Sequence, residues 1–219
     1  MATYNLLTDA GELREDREEM LHEATKAIGD GYVIIAPLEN GYVLLADAFF
    51  HDAVRSLHVL RGDALGIAAQ VLIPGMETLD GIAREVSDQA RALMEKFWPG
   101  PLSMNLRPQR GLNWDLGDMQ QLDQISVRVP TSEFVLEILK RNGPLAMASA
   151  AQAGSPPILD PAQLNFDQTQ VAAIFTQGVI SPAQPTTIIE SDDTGSRIKR
   201  EGAISTDEII AVAPENSGD

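Results

Sequence analysis

Ser149 leaves an apolar stretch, PLAMASA, and enters a run of small residues. A hydroxyl there acts as a nucleophile only with a base beside it, and no motif supplies one. His22, His51 and His58 are the only histidines, and they lack the spacing of a metal-ligand set. His51 and His58 lie seven residues apart on one expected helix and are read as a solvated or packed pair. The carboxylate pairs Asp192-Asp193 and Asp115…Asp118 fall in loops, where turn and cap chemistry is the expectation. There is no Walker loop, no GxGxxG after a strand and no cysteine, so the common phosphate cradles and thiolate chemistry are absent. These signals assign no catalytic residue and no metal.

The elements that must position any site are clearer. FWPGPLSMNL, residues 97–106, stops an amphipathic helix with an aromatic pair and Pro-Gly-Pro, then enters an apolar strand at once. Apolar spacing predicts helices from Gly11 to Ile28, with Leu13, Met20, Leu21, Ala24 and Ile28 on one stripe after Thr8-Asp9, and from Ala48 to Leu60. A long helix is expected from Pro74-Gly75 to Phe97, with Leu79, Ile82, Ala83, Val86, Ala90, Leu93, Met94 and Phe97 on its apolar face. A further helix starts at Thr131-Ser132-Glu133 and ends near Asn142-Gly143, and a capped one follows Ser205. Strands are expected at 32–37, 41–48, 67–73, 102–106 and 125–130, then in PLAMASA, VAAIF, TTIIE and RIKRE. RPQRGLNWDLGDMQQLDQ has no period and reads as a surface loop. Strands alternate with helices without strict βαβ repeats, which predicts an α/β fold: a twisted mixed parallel/antiparallel sheet with helices packed on it. One domain over 1–215 and a flexible tail at 216–219 are expected.

The 219 residues carry 16 basic and 32 acidic side chains, a formal charge of −16. A surface of that sign repels phosphate backbones and anionic lipid, so direct RNA binding is disfavoured. No apolar stretch approaches the roughly 20 residues of a bilayer span, and the acidic, broken N-terminus does not read as a signal peptide, so a cytoplasmic protein is expected.

The motifs themselves resemble a known family. FWPGPLSMNL is similar to the Trp-Pro-Gly-Pro/Ala-Leu/Val-Thr/Ser signature of the YrdC/Sua5 (TsaC) family, and other blocks follow in the same order. VIIAPLENGYVLLADA resembles its early strand-turn-strand, SVRVP its VRVP strand and PLAMASAAQAGSPP its "P-SSAN-SG-PP" segment. PTTIIE…RIKREGAIS resembles the closing lobe, and LNWDLGD a loop of the family's actinobacterial branch. The resemblance implies a YrdC/RibB-like fold whose concave face holds a nucleotide and threonine. It implies nucleotidyltransferase chemistry: threonylcarbamoyl-adenylate formed from L-threonine, bicarbonate and ATP, with Mg²⁺ accompanying ATP and pyrophosphate released. A tRNA-modifying transferase partner would then move the product to an adenosine of tRNA. No tightly bound cofactor is implied.

Carried over by motif, Arg61 falls on the lysine of the family's Lys-x-Arg pair, Ser149 on the second serine of SSAN, and Glu39 on the glutamate of Pro-Thr-Glu. Arg128 lies in the VRVP strand, Arg200 on the arginine of the closing lobe, and Thr186 and Thr187 on its Ser-Thr. Outside the family context Arg128 and Arg200 read as surface arginines, and Ser149 as a small residue in a buried strand.

Three positions depart from the family. Asp63 stands for the arginine of Lys-x-Arg, Ala151 for the asparagine of SSAN and Leu38 for the threonine of Pro-Thr-Glu. Each lost polar contact is worth about 1.5–3 kcal/mol, and Asp63 is expected to add repulsion against a triphosphate. Retained scaffold with an eroded polar site fits a divergent paralogue with impaired activity, or a nucleotide- or small-molecule-binding regulatory protein. An RNA-binding module is a third reading.

Overall fold

A computed structural model describes residues 2–8, 11–12, 14–166, 169–193 and 195–214. Leu13, Asp9 and the tail at 216–219 lie outside the described residues. Among the described residues eleven strands form one sheet. In chain order they are β1 (Ala2–Asn5), β2 (Ile34–Leu38), β3 (Gly41–Asp47), β4 (Gln70–Leu72), β5 (Ala83–Arg84), β6 (Leu102–Pro108), β7 (Ile125–Arg128), β8 (Leu145–Ser149), β9 (Ala173–Thr176), β10 (Thr187–Asp192) and β11 (Gly195–Arg200). Their spatial order is β1-β9-β2-β3-β8-β4-β7-β6-β10-β11, with β5 paired to β6 off that path. Parallel pairs (β1/β9, β4/β7, β6/β10) occur together with antiparallel ones (β2/β3, β3/β8, β6/β7), so the sheet is mixed as expected.

Central strands such as β2 and β3 are apolar throughout because both faces are covered. Side chains along β3 alternate: Tyr42, Leu44 and Ala46 enter one core, and Val43 and Leu45 the other. The helices are α1 (Arg17–Gly29), α2 (His51–Arg61), α3 (Leu79–Ile82), α4 (Asp88–Phe97), α5 (Glu133–Asn142) and α6 (Thr206–Val212). α1 and α5 bury Leu21, Ile28, Phe134 and Ile138 on one face, while α2, α4 and α6 bury Leu57, Leu93 and Ile209 on the other. Among the described residues no helix is long and apolar enough to cross a membrane.

Three expectations need correction, and one strand was not expected. α1 begins at Arg17 rather than Gly11. The long helix to Phe97 is interrupted. After the short α3, Ala83 and Arg84 pair with Pro108 and Arg107, Glu85 adopts φ 56°, and α4 starts afresh with the Ser87 hydroxyl accepting from the Ala90 N–H. Helical spacing persists across the break because both pieces bury their apolar residues against the same sheet. The strand expected at 67–73 shrinks to Gln70–Leu72. Strand β1 had no apolar alternation to announce it, because it is an edge strand with mostly exposed residues.

β10 lies beside β6, and β11 turns back on it through a short hairpin. At its start the chain packs so closely that a Cβ on Gly202 would stand 2.1 Å from the Pro185 carbonyl oxygen and 2.7 Å from Thr186. Gly202→Ala is therefore expected to destabilise the fold by about 1–3 kcal/mol, read from the urea midpoint. An unchanged midpoint would contradict this close approach.

Candidate functional site

The sheet places a pocket of about 340 Å³ beside the carboxyl end of α2. Leu38 and Tyr42 line it from β2 and β3, Gln70 from β4, Arg128 from β7, Ser149 from β8, and Thr186 and Arg200 from the β10–β11 lobe. His58, Arg61 and Asp63 complete it. Five of the carried-over residues, Arg61, Arg128, Ser149, Thr186 and Arg200, thus meet in one cavity, although up to 139 positions separate them in the chain (from 61 to 200).

Arg128 is 3% exposed, so it is not a surface arginine. Its Nε donates to the Gly100 carbonyl at 2.9 Å and its Nη2 to Glu39 Oε2 at 2.5 Å. This is what the Trp-Pro-Gly-Pro turn does. The Gly100 N–H donates to the Val129 carbonyl and the Trp98 indole to the Leu102 carbonyl, fixing the turn against the end of β7. A Cβ on Gly100 would stand 2.3 Å from the Phe97 oxygen, so only glycine fits.

Glu39 does not line the pocket. Its carboxylate accepts from Arg128 on one oxygen and from the Thr131 hydroxyl and N–H on the other. Burial pushes that carboxyl up, but the Arg128 charge and the Thr131 hydrogen bonds outweigh it and hold it below the usual glutamate value. Thr187 is also displaced from the expected role. It is fully buried, its hydroxyl donating to the Ile204 carbonyl and accepting from the Gly202 and Ile204 N–H groups, so it ties the lobe together.

The hydroxyls that do face the pocket are prepared as donors. Ser149 Oγ accepts from the Ala151 N–H at 3.2 Å. Thr186 Oγ1 accepts from Ser103 and from Arg200 Nη2, and Gln70 donates to Ser103 behind it. Each of these hydroxyls uses acceptor capacity within the protein and keeps its proton for a ligand oxygen. Arg200 is exposed, yet its guanidinium is pinned by two bonds to the Thr186 carbonyl, at 2.8 and 3.2 Å.

Asp63 does not present a bare carboxylate. Its side chain is 4% exposed; Oδ2 lies 2.9 Å from His58 Nδ1 and Oδ1 lies 3.3 Å from Arg61 Nε. The repulsion expected from this replacement is largely answered by those two partners. Leu38 remains an apolar group in the wall, whereas Ala151 is buried and does not line the pocket. His51 and His58 share a face as packed residues, both against carbonyls of the 109–124 loop: Asn113 at 3.2 Å and Leu116 at 2.7 Å. Asp115 and Asp118 accept from the Gly117 and Leu122 N–H groups, the expected turn chemistry. The sequence reading missed His58 and Gln70 as pocket residues. A histidine five positions before an aspartate across a helix-ending glycine was the available signal for His58.

Glu39→Gln is expected to lower stability at neutral pH by about 1.5–3 kcal/mol, because Arg128 is left buried against a neutral amide. The folded-state value of Glu39 is depressed, so its contribution is complete above the ordinary 4.5 and lost as pH falls below that. Urea midpoints of wild type and variant should therefore differ at pH 7 and converge in acid. A difference that persists undiminished in acid would contradict the pairing.

The comparisons with known proteins agree with this architecture. The Sua5/YciO/YrdC family model, described as telomere recombination, matches residues 26–202. A Mycobacterium tuberculosis protein with the provisional name threonylcarbamoyl-AMP synthase is 31% identical over 199 residues, 90% of this chain and 91% of its own length. The threonylcarbamoyl-AMP synthase of Pyrococcus abyssi is 26% identical over 206 residues, 93% of this chain and 60% of its own. The crystal structure of P. abyssi Sua5 complexed with L-threonine superposes with a TM-score of 0.84 at 24% identity, covering 97% of this chain and 61% of that one. E. coli YciO superposes with a TM-score of 0.77 at 22% identity, covering 92% of this chain and 96% of that one. The chain thus spans about three fifths of the P. abyssi protein. Its sequence and its fold together make it a member of the Sua5/YciO/YrdC family, related to threonylcarbamoyl-AMP synthase.

Proposed function

We propose that the pocket binds ATP and L-threonine and forms threonylcarbamoyl-AMP at a reduced rate. One observation carries this reading: Arg61, Arg128, Arg200, Ser149 and Thr186 converge on a single cavity within the family fold. A nucleotide phosphate and an amino-acid carboxylate are anions that such donors suit, and arginine offers planar paired N–H groups to both. The relative crystallised with L-threonine supports the amino-acid half of the reading.

In the reaction the threonine amine attacks the carbon of bicarbonate, water leaves, and a carbamate results. A carbamate oxygen then attacks the α-phosphorus; that P–O bond forms, the α–β bridge breaks and pyrophosphate departs. The chain's residues contribute by orientation and by stabilising negative charge on phosphate oxygens as the bond changes. Mg²⁺ would arrive with ATP. Among the described residues Asp63 is the only carboxylate lining the cavity and is already paired, so the ion would be held by phosphate oxygens and water. The adenylate product passes to a transferase acting on tRNA, and the acidic surface, at −16, opposes direct RNA binding by this chain.

The reduced rate rests first on Leu38, an apolar group in the pocket wall, while Ala151, where the family's amide is also absent, lies outside the lining. At about 1.5–3 kcal/mol, the loss at Leu38 slows turnover by roughly tenfold to a few hundredfold. The same observation favours a second reading, a ligand-binding paralogue without turnover. Pyrophosphate release from ATP, bicarbonate and L-threonine separates them. The expectation is slow, threonine-dependent release that rises at least about tenfold in Leu38→Thr/Ala151→Asn. ATP and threonine binding without any release supports the paralogue, and wild-type turnover equal to that of a relative with Thr and Asn at these positions contradicts the assignment of the loss.

A further inference from the structure

We propose that Asp63 is a positioning residue that, braced by His58, holds Arg61 as a donor for the ligand's phosphate. The inference rests on the reading that this pocket takes a nucleotide. By charge alone, Asp63 should weaken anion binding, and its replacement by a neutral or basic residue should strengthen it. The geometry says the opposite.

Arg61 is the last residue of α2, and Gly62 ends the helix in the left-handed conformation at φ 70°. The Asp63 N–H then donates to the His58 carbonyl, so the chain folds back and the aspartate side chain returns to its own helix. Its two oxygens reach His58 and Arg61, one each. The Arg61 backbone is held separately, since its carbonyl accepts from the Ala153 N–H at 2.9 Å and the Leu60 carbonyl accepts from Gln152 Nε2. Arg61 is therefore fixed from the loop after β8 and from Asp63, while its terminal Nη atoms have no hydrogen-bond partner among the described residues. The Nε contact with Asp63 is an ion pair at 3.3 Å without hydrogen-bond alignment, which leaves the outer edge of the guanidinium for a ligand.

His58 is clamped as tightly. Its Nδ1 faces Asp63 and its Nε2 lies 2.7 Å from the Leu116 carbonyl, so both ring nitrogens are engaged within the protein. A Cβ on Gly117 would fall 2.2 Å from Nε2, and Gly117 has φ +98°, so the loop reaches the ring only with glycine there. Without the aspartate, the arginine swings freely on its long stem and the ring loses one of its two anchors.

The test measures binding of inorganic pyrophosphate and of ATP by calorimetry, with thermal melts to confirm folding. Asp63→Asn keeps the shape and removes the charge, and it should weaken pyrophosphate binding about tenfold; Asp63→Arg should weaken it at least as much. In an Arg61→Ala background, Asp63→Asn should cost nothing further, which a purely structural role would not produce. Affinity unchanged or raised in folded Asp63→Asn overturns the proposal, as does a wild type that binds no pyrophosphate. Wild-type pyrophosphate and ATP binding that both fall in Asp63→Asn, without turnover, remove the synthase reading and leave this inference standing.

Discussion

A guanidinium can sit inside a protein only opposite a carboxylate that answers its charge, and Arg128 shows how much structure that requirement organises. Its partner Glu39 sits in the turn between β2 and β3, and Thr131 holds the second oxygen of that carboxylate from the loop before α5. The remaining bond of Arg128 goes to Gly100 in the Trp-Pro-Gly-Pro turn. Segments from positions 39, 100, 128 and 131 are thereby locked to one side chain. The same rule applies on the other side of the pocket, where Asp63 answers Arg61 and His58. Two of the cavity's arginines, Arg61 and Arg128, are thus set by carboxylates, while Arg200 is held by the Thr186 carbonyl and hydroxyl.

This arrangement reconciles an acidic protein with a pocket lined by guanidinium groups. A charge of −16 sets the long-range field and resists polyanions such as RNA, but a cavity a few ångströms across is governed by the groups that line it. Three guanidinium groups meet there, supported by Ser149 and Thr186 hydroxyls whose acceptor lone pairs are partly used within the protein. A small anion entering the pocket meets oriented donors, while a long one is repelled by the surface before contact.

The sheet was legible because its strands carry runs of Val, Ile and Leu that only a doubly covered sheet requires, and the ordered blocks of the family motif located Arg61, Arg128, Ser149, Thr186 and Arg200. The break before α4 was not legible, since both halves keep helical spacing while Glu85 leaves the helical region. Residue identity alone also misread roles. Glu39 and Thr187 looked like ligand contacts because motif position does not say where a side chain points, and here both point inward to anchor other groups. Asp63 looked like bare negative charge because its partners, His58 and Arg61, are set by the turn at Gly62 rather than by any pattern in composition.

The central claim is that Arg61, Arg128 and Arg200, each anchored within the protein, form one pocket for a nucleotide phosphate and an amino-acid carboxylate. The most direct measurement is a crystal structure with a non-hydrolysable ATP analogue and L-threonine at saturating concentration. The account predicts both ligands in the cavity, phosphate oxygens within hydrogen-bond distance of Arg61, and Arg128 still paired with Glu39. Ligands seated elsewhere on the chain, or an empty cavity under those conditions, would contradict it.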